Sequence, residues 1–169
     1  MREPHWRWHD WQRLDADTLY GFLKLRSDIF VVEQNCVFSD MDGLDSQCLH
    51  LGGHGDDGEL LAYLRLVPPN LKRPHTPSEA APGPALGRIV VAASARGRGL
   101  GLAVVQQGLQ RSASLWPGLD QFLSAQQHLE RFYGSLGFQR IREPYLEDGI
   151  PHVDMRRPAI LPRPTAQAD

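Results

Sequence analysis

The segment ALGRIVVAASARGRGLGLAVVQQGLQRSAS, residues 85–114, decides how the rest of the chain is read. An apolar run from Ile89 leads into Arg96-Gly97-Arg98-Gly99-Leu100-Gly101, and Leu102, Val105, Leu109 and Ala113 then recur at helical spacing. A strand, a glycine-rich turn and a helix N-terminus in succession make a cradle for an anion. The first N–H groups of a helix have no partner within it, and the helix dipole favours negative charge there. Glycines at alternate positions let the backbone take positive φ and approach a ligand closely. The turn is expected to hold a pyrophosphate.

Two familiar glycine loops do not fit. No Gly-Lys-Ser/Thr follows, which excludes a P-loop. A dinucleotide fingerprint built on Gly97 and Gly99 would need Gly or Ala at position 102, which is Leu102, and the chain before it reads as a hairpin rather than the start of a βαβ unit.

Working outward, residues 5–11 (His-Trp-Arg-Trp-His-Asp-Trp) alternate aromatic and polar, the period of a half-buried strand, with the three tryptophans read as core. Asp15 or Asp17 caps a helix whose stripe is Leu19, Phe22, Leu23, Arg26 and Phe30. Arg26 reads as a snorkelling arginine near the helix end, with a substrate role as the alternative. Asp40, Asp42 and Asp45 lie in a turn-rich piece without EF-hand spacing, so Asp40 and Asp42 are expected to be solvated and calcium is not expected. Glu33 follows an apolar run and is expected nearer the interior. Residues 49–54 and 60–67 form a hairpin around a Gly/Asp turn. It carries His50 and His54 four apart, with no third ligand to make a metal site.

Residues 68–84 hold six prolines and read as an inserted loop. Beyond the opening segment come a short buried strand at residues 122–125, a helix through Phe132 and Tyr133, a strand at 138–142, and a turn with a last strand ending at Met155. A single domain over residues 1–156 and a flexible tail over 157–169 follow. The order is β, α, ββ, β, α, β, α, ββ, a mixed α/β domain.

Composition sets outer bounds. The 169 residues carry a net charge of −2, with 22% charged and 41% hydrophobic residues, which suits one globular domain and argues against neutralising nucleic-acid phosphates. Of the 18 basic residues only Lys24 and Lys72 are lysines. Cys36 and Cys48 make no disulfide framework and no CxxC pattern. No run approaches a membrane span and no signal pattern opens the chain, so no membrane partner and a cytoplasmic location are expected.

Arg96-Gly97-Arg98-Gly99-Leu100-Gly101 resembles the coenzyme A pyrophosphate loop of the GNAT acyltransferases. Downstream, Phe132-Tyr133-Gly134-Ser135-Leu136-Gly137-Phe138 looks like that family's second motif. Further blocks resemble its ElaA branch: Leu25-Arg26 to Phe30 with Glu33-Gln34, Asp42-Gly43 with Asp45, Gly87-Arg88 with Val90, and Glu147-Asp148-Gly149-Ile150-Pro151-His152.

The resemblance implies the acyl-CoA N-acyltransferase fold, a mixed central sheet with splayed strands flanked by helices. It implies acetyl-CoA as cosubstrate, no metal, and acetyl transfer to an amine of a small molecule or peptide, with a homodimer possible. Carried over residue by residue, Ile89, Val90 and Val91 would line the pantetheine, with an N–H near Val90 on the thioester carbonyl. Arg96 and Gly97 open the loop, and the N–H groups of Arg98, Gly99, Leu100 and Gly101 would hold the pyrophosphate. Tyr133 matches the tyrosine that protonates the departing thiolate, with an aromatic core residue as the alternative. An alkylamine is neutral in roughly one part in a thousand near neutral pH, so a base is needed. Glu33 and His152 are the candidates, with Asp148 a third. Two other functions stay open. One is an acyl-homoserine-lactone synthase-like enzyme, suggested by Arg26 to Phe30 followed by Asp42 and Asp45. The other is an acyl-CoA-binding sensor without catalysis.

Overall fold

The computed structural model describes residues 3–71 and 82–159. Eight strands and three helices follow one another as β1 (His5–Asp10), α1 (Ala16–Arg26), β2 (Leu49–His54), β3 (Leu60–Val67), β4 (Ala85–Val91), α2 (Leu100–Leu115), β5 (Gln121–Gln126), α3 (Glu130–Ser135), β6 (Gln139–Arg140), β7 (Tyr145–Glu147) and β8 (Ile150–Arg157). They make one mixed sheet in the order β1-β2-β3-β4-β5-β8-β6, with β7 also on β8. This is the α/β architecture expected from the sequence.

Every pairing is antiparallel except β4 with β5, which touch at one pair, Ala85 and Phe122. A hydrogen bond from Phe122 N–H to Pro84 O, 2.9 Å, closes that end. Beyond it the strands part, and the candidate site lies in the opening.

α2 packs on β3 and β4 because Val104, Val105, Gly108 and Leu109 share one helix face and are buried. Its close seat needs Gly108, where an added Cβ would come within 2.8 Å of a Leu64 methyl. Leu51, Leu64, Leu66, Leu86, Leu123 and Val153 complete this side of the core. The opposite face carries a smaller cluster of Phe22, Ile29, Tyr63 and Val90 under α1. Alternation along β4 sends Val90 to the α1 side and Ile89 and Val91 to the α2 side.

Asp15 caps α1 by accepting from Thr18 N at 2.8 Å. The helix then widens into a π-helical stretch, Ser27–Glu33. There Gln34 N–H reaches Ile29 O, five residues back, at 3.1 Å. This widening turns Phe30 and Gln34 toward the opening between β4 and β5.

Several sequence expectations change. Trp6 and Trp8 do pack against the core, but Trp11 leaves the strand for a short 3₁₀ turn and faces His50 instead. The strand at 138–142 shrinks to Gln139–Arg140. Arg157 ends β8 rather than starting a tail, and Ala159 N–H is held by Asp120 at 2.8 Å. The remaining tail, 160–169, and most of the proline-rich loop, 72–81, lie outside the described residues.

The largest correction concerns charge. Arg26 does not snorkel: it is 1% exposed, with Nε 2.8 Å from Asp40 and Nη1 2.9 Å from Asp45. Arg65, also buried, bonds both Asp42 and Asp45, and Arg88 reaches Asp40 and Asp42. Three arginines and three aspartates thus neutralise one another under the loop, so Asp40 and Asp42 are not solvated. Buried charges persist when each is paired and hydrogen-bonded. Burial works to raise the Asp42 pKa, but Arg65, the Leu44 N–H and Arg88 outweigh it and hold it at about 2. His50 completes the cluster between the Tyr63 hydroxyl (2.7 Å) and Asp45 O (2.9 Å). It is a satisfied core histidine, and among the described residues no group of His, Cys, Asp and Glu could hold a metal.

Candidate active site

Register along β4 fixes which backbone groups face the opening. Tyr63 pairs with Val90 and Arg65 with Gly87, so β4 carries one extra residue between them. It is a β-bulge, and Arg88 within it sits at φ +50°. On the other side Ala92 N–H donates to Leu61 O at 2.8 Å. In an antiparallel ladder hydrogen-bonded pairs alternate, so Tyr63 and Val90 form the next such pair and the Val90 N–H points at β3. Those of Ile89 and Val91 point the other way, into the gap left by β5. The N–H groups that face the gap are therefore those of Val90's neighbours and not its own.

Two cavities open from the gap. One, about 520 Å³, is lined by Glu33, Ile89, Val90, Val91, Arg96, Gly97, Gly99, Leu100, Gly101 and Tyr133. The other, about 130 Å³, includes Arg88, Ile89, Ser124, Tyr133, Glu147, Asp148 and His152. Phe30, Gln34, Ile89, Gln126, Leu129 and Tyr133 border both, so the cavities meet there. A hydrogen bond of 3.0 Å from Gln126 Nε2 to Gln34 Oε1 bridges the gap at this junction.

Gly97 and Gly99 have φ of +73° and +77°, and Gly99 immediately precedes α2, which has no side-chain cap. Ala103 N–H bonds Gly99 O at 3.1 Å, so the N–H groups of Leu100, Gly101 and Leu102 are the ones without a helix partner. An added Cβ at Gly101 would meet no protein atom within 4 Å. Its smallness is therefore not demanded by the protein's own packing, and the cradle fits a phosphate-bearing ligand. Arg98 lines the opposite flank of α2, with Trp6 and Gln107.

Tyr133 is 6% exposed, wedged edge-on between Phe132 and Phe138. Burial alone pushes its hydroxyl up to about 12. Among the described residues that hydroxyl has no hydrogen-bond partner. The ring packs as a core aromatic, and Tyr133 lines both cavities.

The two base candidates fall on different sides. Glu33, exposed rather than near the interior, lies on the larger cavity and pairs with Arg96 at 2.8 Å. His152 lines the smaller one, with Nδ1 2.8 Å from Ile150 O. A carbonyl can only accept, so Nδ1 carries a proton, and in the neutral imidazole Nε2 is then the nitrogen with the lone pair. Asp148 shapes the β7–β8 hairpin: it and Gly149 stand at φ +50° and +79°, the two-residue turn that Asp-Gly favours.

Sequence reasoning missed the shared residues Gln34, Gln126 and Leu129 and the hydrogen-bonded set that joins β5, β7 and β8. There Tyr145 OH lies 2.6 Å from Ser124 Oγ and donates to Asp154 at 2.9 Å. Arg142 stacks over the Tyr145 ring and pairs with Asp154 at 2.8 Å.

Comparison with known proteins agrees with this geometry. Residues 78–158 match the family model described as an acetyltransferase (GNAT) domain. The chain is 38% identical to UPF0039 protein sll0451 of Synechocystis over 153 residues, covering 90% of this chain and 94% of the relative. Protein ElaA of Escherichia coli is 37% identical over 158 residues, covering 89% and 97%. The crystal structure of Escherichia coli ElaA superposes with a TM-score of 0.78 over 91% of this chain and 99% of that one. An acyl-CoA N-acyltransferase from Pseudomonas aeruginosa, 39% identical, gives 0.81 over 91% and 99%. The chain belongs to the GNAT acyltransferase superfamily, in its ElaA-like branch. Arg26, Asp42 and Asp45, whose spacing suggests a lactone synthase, are engaged with one another and with Asp40 and Arg65 inside the fold. Among the described residues no helix is long and apolar enough to cross a membrane.

Proposed function

We propose that the protein is an N-acetyltransferase that moves the acetyl group of acetyl-CoA to an amine of a small molecule or peptide by direct attack on the thioester. The observation that carries this reading is the meeting of two cavities at Ile89 and Tyr133. One is a long groove ending in a glycine cradle, and the other is a small chamber containing an imidazole.

The N–H groups of Leu100 and Gly101 hold the pyrophosphate, with Gly99 shaping the turn and Arg96 braced by Glu33. Ile89 and Val91 offer β4 as a strand edge to the pantetheine, in the place β5 has left. The Ile89 N–H donates to the thioester carbonyl and strengthens as negative charge grows there. His152 Nε2 takes a proton from the ammonium, the freed lone pair forms the C–N bond, and the nitrogen then gives up its second proton to solvent as the tetrahedral intermediate collapses. As the C–S bond breaks, Tyr133 gives its hydroxyl proton to the sulfur and regains one from solvent. Glu33, engaged with Arg96, is assigned to the cofactor side.

Incubation with acetyl-CoA and a panel of amines, monitored for free thiol, tests the reading. Thiol release that depends on the amine is expected. Tight CoA binding with no thiol from any amine would sink it in favour of a sensor.

A further inference from the structure

The smaller cavity has an uneven charge balance. Among the described residues Arg88 is the one Arg or Lys lining it, and it is consumed. Its Nε lies 2.9 Å from Asp40 Oδ1, and its Nη2 lies 3.0 Å from Asp40 O and 3.4 Å from Asp42 Oδ2. Arg142, close by, is bound to Asp154. Glu147 and Asp148, in contrast, have no cationic partner among the described residues. Glu147 meets the Tyr145 hydroxyl at 3.5 Å, and Asp148 contributes its backbone carbonyl to Cys36 Sγ. Apart from Arg88 and His152, the other described residues lining the cavity, among them Phe30, Gln34, Phe38 and Ser124, carry no charge. A second observation marks the same cavity as a ligand chamber: Tyr133, 6% exposed and with no hydrogen bond to its hydroxyl among the described residues, lines it.

We propose that the acceptor is a diamine or polyamine, with one amine at the Ile89–Tyr133 junction and a remote ammonium on Glu147 and Asp148. This rests on the acyltransferase reading. Glu147 is half-buried, and a carboxylate there without a cationic partner favours a cation more strongly than one in bulk water, because screening is weaker; the exposed Asp148 adds a second negative charge at the rim. Aromatic walls suit the methylene chain and can face an ammonium. An acceptor bearing a carboxylate would find, among the described residues lining the cavity, no Arg or Lys free of a carboxylate partner, and two like charges opposing it.

The experiment is calorimetric titration of putrescine and of butylamine into the protein saturated with CoA, which needs no turnover. Putrescine is expected to bind at least tenfold more tightly than butylamine. In the double variant Glu147→Gln, Asp148→Asn the two amines should bind alike, with CoA affinity unchanged. Asparagine tolerates the positive φ at 148, so the turn survives. Equal affinities in the parent protein, or a putrescine advantage that persists in the double variant, would overturn the proposal. A protein that acetylates butylamine as readily as putrescine keeps the acyl-transfer reading and loses this one. A protein that selects putrescine beside CoA yet never releases thiol keeps the diamine site and loses catalysis.

Discussion

Arg88 Nε lies 2.9 Å from Asp40 Oδ1, tying the bulge of β4 to the loop that follows the π-helical stretch. The same carboxylate holds Arg26 of α1 through its other oxygen. Asp40→Asn should leave two arginines short of a counter-charge in a site 6% exposed and cost about 3 kcal/mol of stability. Urea unfolding measures it, and a loss under about 1 kcal/mol would mean the network is not a unit.

Acid should unfold the protein in two stages. Burial lowers the His50 pKa from the ordinary 6.5, so protons bind the unfolded chain better and stability falls as pH drops below that value. Asp42, at about 2, and Asp45, whose burial is outweighed by Arg26 and Arg65, are also depressed. Their contribution is complete above the ordinary value of 3.8 and is lost between there and about 2. Chemical denaturation at stepped pH should show both slopes, and His50→Gln should remove the upper one.

Tyr133→Phe should lower kcat by about a hundredfold, the usual scale for a lost general acid, with CoA affinity unchanged. With the hydroxyl at about 12, no alkaline loss assignable to Tyr133 should appear below about pH 10 in the wild-type rate profile. Equal decline of CoA binding and turnover would instead mark Tyr133 as packing.

The loop glycines should separate into two kinds. Gly99→Ala forces a Cβ onto φ +77° and should destabilise the protein by about 1 kcal/mol. At Gly101 an added Cβ meets no protein atom within 4 Å, so Gly101→Ala should cost little in thermal stability, yet weaken CoA at least tenfold by filling the cradle. Melting curves and CoA titrations on both variants make the comparison.

Much of the fold is legible in the sequence because its signals are local. The run from Ile89 into alternating glycines is a strand, a turn and a helix start wherever it occurs, and Tyr133 announces itself beside Phe132 and Phe138. What stays hidden depends on partners far along the chain. Its place at a helix end makes Arg26 look like a snorkelling residue. Its partners Asp40 and Asp45 lie 14 and 19 residues further on and reach it only when the loop folds back under α1. Glu33 follows an apolar run, but the widened helical turn swings it out to Arg96. The family resemblance points to an N–H near Val90, whereas the direction of that group depends on the register against β3 and on the bulge at Arg88. No periodicity reveals that register.

The single backbone contact between β4 and β5 has a mechanical consequence. One half-sheet carries α1 and α2, the other carries α3 and the β7–β8 hairpin, and past Ala85 and Phe122 side chains alone hold them together. A pantetheine bonded along Ile89 and Val91 would stand in for the missing rungs, making the cosubstrate a removable splint. Amide exchange across β5 and β8 should then slow when CoA binds and quicken each time the product leaves, so that the turnover cycle is also a cycle of stiffening and release.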